Sequence, residues 1–90
     1  MSERQLRRRR KKLRYEEEVL MAQLFTDSES PKGIEHFEDV YLGHGASLEE
    51  VKRHLRGMWQ FTRAEKSHII KHYAVKLEIK RTNKKLWRLR

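Results

Sequence analysis

Cysteine is absent from the 90 residues, which excludes disulfide frameworks, thiolate zinc sites and thiol nucleophiles together. The absence fits a reducing compartment, so the protein is expected inside the cell: in the cytoplasm or nucleoid, or in a nucleus where the source has one. One proline and four glycines leave few positions at which a helix must end. Long apolar runs are also missing, for the longest, Val19 to Ala22, has four residues against the roughly 20 that cross a bilayer. Neither a transmembrane helix nor a secretory signal nor a membrane partner is therefore expected. Hydrophobic residues are 37% and charged residues 39% of the chain, material for one small core and one domain with tails. A chain of this size buries only about 60% of its unfolded surface. A deep cleft that shields catalysis from water is then hard to build, so an enzyme is not expected.

Charge is plentiful, and it is sorted along the chain. Residues 1–14 carry eight basic residues and one acid, residues 15–50 ten acids and one lysine, and residues 51–90 thirteen basic residues and two acids. A net charge of +9 thus conceals two strongly basic ends around an acidic middle, and a polyanion is expected to bind at those ends. The plain reading of the middle is a solvated face that balances the ends within the fold. The sharper one is autoinhibition, in which the acids compete with nucleic acid for the basic tail.

Ser2 with Gln5 forms a capping pattern, and an uninterrupted helix-forming composition follows to Phe25. Residues 1–25 therefore read as a basic helical arm. Leu6, Leu13 and Leu20 recur every seven residues, a stripe that offers a seam for a homodimer. Arg7, Arg8, Arg9, Arg10, Lys11 and Lys12 spread around the cylinder, and their repulsion should fray that end when no partner is bound. Residues 26–33, with Pro31 and Gly33, read as a linker loop. Ile34, Phe37, Val40 and Tyr41 stand at helical spacing, with a short strand as the competing reading. Ser47 and Glu50 cap a helix expected over about Leu48 to Met58, its apolar face formed by Leu48, Val51 and Leu55. Thr62 and Glu65 cap another.

Beyond Ala74 the period changes, for Val75, Leu77 and Ile79 alternate with Lys76, Glu78 and Lys80. That spacing predicts a strand over 75–80, a turn at Arg81 to Lys84 and a returning strand to Arg90. The competing reading runs the last helix on to the C-terminus. Residues 34–90 are thus expected as a mainly α, single-core domain of winged-helix type with a C-terminal β-hairpin. In that arrangement the second helix enters a major groove and the hairpin touches the backbone. The helix offers Arg63, Lys66, Ser67 and Lys71; the hairpin offers Lys76, Lys80, Arg81, Lys84, Lys85, Arg88 and Arg90 for phosphates. Arg53 and Arg63 depart from the simple helix-turn-helix pattern around Gly57, which leaves only a looser winged variant.

Other constellations carry less. Glu65, His68 and His72 share a helical face at zinc-ligand spacing, but Ile69 stands where a metalloprotease pattern needs glutamate. The two histidines are expected to be solvated or to face phosphate, and neither metal nor cofactor is expected. Trp59, Phe61, Tyr73 and Trp87 lie among basic residues. They are expected mainly in or near the core, with stacking on unpaired bases as the alternative and Trp87 its best candidate. The chain is therefore expected to bind nucleic acid, DNA before RNA, as a small transcriptional regulator. A second class fits the same charges: an adaptor or inhibitor that grips a polymerase, nuclease or ribosome through its acidic middle.

Overall fold

The computed structural model describes residues 1–89 and consists of four helices: α1 (Glu3–Asp27), α2 (Pro31–Gly43), α3 (Leu48–Arg56) and α4 (Arg63–Arg88). Ser2 and Gln5, and again Thr62 and Glu65, form reciprocal capping boxes at the starts of α1 and α4. At α3 the Ser47 hydroxyl accepts from the Glu50 amide. These bonds satisfy N–H groups that the first turn of a helix leaves without partners. Pro31 opens α2, where its missing N–H would have had no helical partner anyway. The linker expected over 26–33 thus shortens to Ser28, Glu29 and Ser30. Gly45, at φ 73°, supplies the left-handed backbone that turns the chain toward α3.

No strand occurs among the described residues, and the β-hairpin of a winged helix is overturned. Residues 75–80 continue α4, and the turn expected at Arg81 to Lys84 lies within it. Val75 and Ile79 are four residues apart, so an alternation this short satisfies a helical face as readily as a strand. No glycine or proline follows Gly57, and the Thr82 hydroxyl donates to the Glu78 carbonyl at 2.8 Å inside the helix. The rest of the reason is tertiary. The distal half of α4 lies against α1, which packing makes helical whatever its local alternation.

The two long helices run antiparallel. Arg9 pairs with Glu78 at 3.0 Å toward one end, His72 meets Glu17 at 3.4 Å midway, and Ser28 donates to Glu65 at 2.7 Å toward the other. At 1.5 Å per residue α4 is roughly 39 Å long, close to the 43 Å longest dimension of the molecule. α2 and α3 cover the proximal part of α4. The core lies there, built from Leu24, Ile34, Ala46, Val51, Leu55, Ile69 and Tyr73. The Tyr73 hydroxyl donates to the Ala46 carbonyl at 2.7 Å, so its polar end is satisfied inside. Leu6 and Leu86 are buried farther along the α1–α4 pair. Of the stripe at seven-residue spacing, Leu6 is buried within the chain, while Leu13 and Leu20 are half-buried. The tryptophans are not in the core: Trp59 is 91% and Trp87 74% exposed. No described helix is long and apolar enough to cross a membrane.

Candidate nucleic-acid interface

Antiparallel pairing brings the two ends of the sequence to the same end of the molecule. Residues 1–14 of the chain and 76–88 of α4 together hold fourteen Lys and Arg side chains against Glu3 and Glu78. Arg7, Arg8, Arg9, Arg10, Lys11 and Lys12 come from α1; Lys80, Arg81, Lys84, Lys85 and Arg88 come from α4. All are exposed except Arg10, which is half-buried. The expected arm and the expected hairpin therefore come together at one end of the molecule, with a helix in place of the wing. Arg63, Lys66 and Lys71 lie on the proximal part of α4 and do not join it. Arg63 and Arg88 stand 25 positions apart, roughly 37 Å along the helix. Arg90 lies outside the described residues.

Like charges are held together here by apolar contact beneath and by two carboxylates. Glu78 accepts from Arg81 at 2.7 Å and from Arg9 at 3.0 Å, bridging the helices. Those two bonds hold its carboxyl below the usual glutamate range. The bridge therefore adds stability at neutral pH that is lost as acid protonates Glu78. Arg7 pairs with Glu3 at 2.9 Å and Arg10 donates to the Asn83 side-chain oxygen at 3.2 Å. Among the described residues the run Arg7 to Lys12 makes no ion pair with the acidic middle, so the contact that autoinhibition would need is not formed.

Between the basic end and the core lies a buried polar cluster that sequence spacing did not reveal. Glu38 and His72 are each fully buried, with His72 Nδ1 3.0 Å from both carboxylate oxygens of Glu38. Lys76 Nζ stands 3.9 Å from Glu38 and 3.1 Å from Asp39. His72 is thus neither solvated nor facing phosphate, because its ring is packed between α2 and α1. Its neighbour His68 has a ring centroid 5.4 Å away, and burial pushes it below the usual histidine value. Glu65, the third member of the zinc spacing, spends its oxygens on Thr62 and Ser28. No set of three His, Asp or Glu side chains arranged for a metal ion occurs among the described residues. The signal for Glu38 was available in part: it stands four residues after Ile34, on the face that α2 buries.

Comparison with known proteins finds no matching family model, no matching curated protein and no matching solved structure. The functional reading rests on the residues themselves.

Proposed function

We propose that this protein binds nucleic acid, DNA first of all, as a small non-catalytic regulator that grips phosphates with the shared end of α1 and α4. The convergence of fourteen basic side chains on that end carries the reading. The stretch from Lys76 to Arg88 is roughly 20 Å long, and a duplex presents about one negative charge per 1.7 Å of axis. About a dozen phosphate charges thus pass along a surface with a comparable number of cations. Contacts of this kind set affinity and position but do not read bases.

A second reading has its own support. Trp59 is the most exposed large apolar residue described, and it precedes α4 at the end opposite the α1–α4 basic surface. An adaptor would use that end on a protein partner and the basic end on nucleic acid. Titration with duplex DNA, single-stranded DNA and structured RNA at low and physiological salt separates the two. A regulator retains duplex binding at physiological salt, whereas an adaptor alone shows only sequence-blind binding that salt removes.

A further inference from the structure

Where α2 ends, an open groove of about 1030 Å³ runs beside the distal half of α4. Leu42, Ile79 and Trp87 give it an apolar lining, while Lys80, Asn83 and Lys84 border it from α4. Positions 80, 83, 84 and 87 fall at three- and four-residue steps, so these side chains share one face of the helix. Trp87 is 74% exposed there. Arg14 reaches the same groove from α1, and neither it nor Lys84 is engaged in an ion pair among the described residues. The groove is continuous with the basic surface, because Lys80 and Lys84 belong to both.

We infer that this groove holds an unpaired nucleobase stacked on Trp87, with Lys80, Lys84 and Arg14 on the adjoining phosphates. The inference rests on the nucleic-acid reading and narrows it: the preferred ligand carries a single-stranded stretch next to a duplex. A π-face for the base and cations for the backbone are the two parts that single-strand sites combine. The chemistry favours a nucleotide over an acidic peptide. Glu17 and Asp39 also line the groove. They would repel a carboxylate-rich segment laid along its length, while a base needs only the apolar lining, and its flanking phosphates need only Lys80, Lys84 and Arg14.

The test uses the full chain with Trp59→Phe, so that Trp87 alone reports fluorescence. It is titrated with a blunt duplex, with the same duplex carrying a single-stranded tail, in DNA and in RNA, and with an oligoglutamate peptide. The tailed duplex should quench Trp87 and bind about tenfold tighter than the blunt one. Trp87→Ala should bring the two affinities together, and Trp87→Phe should restore part of the difference. Unchanged Trp87 fluorescence with equal tailed and blunt affinities would overturn the inference while leaving phosphate binding by the duplex intact. Quenching by the peptide alone would overturn it in favour of an acidic protein partner. Absence of binding to every nucleic acid would remove both this inference and the reading beneath it. Quenching by the tail with no affinity for the blunt duplex would support the stacked base and remove only the duplex reading.

Discussion

Replacing Glu38 with alanine should destabilise the protein by about 3 to 5 kcal/mol, because it leaves the buried His72 ring without its hydrogen-bond partner and opens a cavity where the side chain packed. Glu38 and His72 are both fully buried and face each other at 3.0 Å. Without the carboxylate, Nδ1 of His72 loses its hydrogen-bond partner, and Lys76 loses one of its two nearby acids. A 90-residue domain is stable by only about 5 to 13 kcal/mol, so this one change removes a large share. Its melting temperature should fall by more than about 12 °C, at roughly 4 °C or more per kcal/mol for a domain of this size. Replacing both partners together, Glu38→Leu with His72→Leu, should recover much of the loss, because neither member of the pair is then left buried without the other. Urea unfolding of the three variants measures this directly. A loss below about 1 kcal/mol in Glu38→Ala would place the carboxylate in water and contradict the packing of α2 on α4.

The second large effect is on binding. Changing Arg7, Arg8, Arg9 and Arg10 together to alanine should reduce the log–log salt slope of duplex binding by about 3 to 4, at roughly 0.9 per phosphate contact. Affinity at physiological salt should drop by about tenfold or more. Stability should hardly move, since the pairs Arg7–Glu3 and Arg9–Glu78 are solvent-facing and such pairs contribute about 0 to 1 kcal/mol. Losing these four charges also relieves repulsion with Lys80 to Arg88 across the helix pair. An unchanged slope would show that the N-terminal half of α1 does not touch phosphate.

The elements legible in the sequence are those that short-range chemistry specifies. Ser2, Ser47 and Thr62 each mark a helix start because the cap and its partner lie three residues apart. The face of α3 is read from Val51 and Leu55 for the same reason. The distal half of α4 is not legible from its own residues, because Val75, Leu77 and Ile79 alternate over too few positions to distinguish the two periods. What decides their conformation is α1, some seventy positions away in sequence, as the Arg9–Glu78 bond records. Distance in sequence also hid the joined basic surface, since charge counting located both tracts but not their antiparallel pairing. The tryptophans were expected inward from size alone, yet Leu6, Leu86 and the Tyr73 cluster already fill the contacts, and both rings lie outside. The sequence neighbours of His72 on its own helix do not reveal its partner, because Glu38 comes from α2.

On the proposed function, α1 and α4 present one phosphate-binding surface. Mapping backbone amide shifts of the isotopically labelled protein during titration with duplex DNA tests it most directly. Shifts should cluster in residues 4–14 and 76–88 together, rise in step and fade together as salt is raised. Shifts confined to α3 and the Trp59 turn, or to only one of the two long helices, would contradict it.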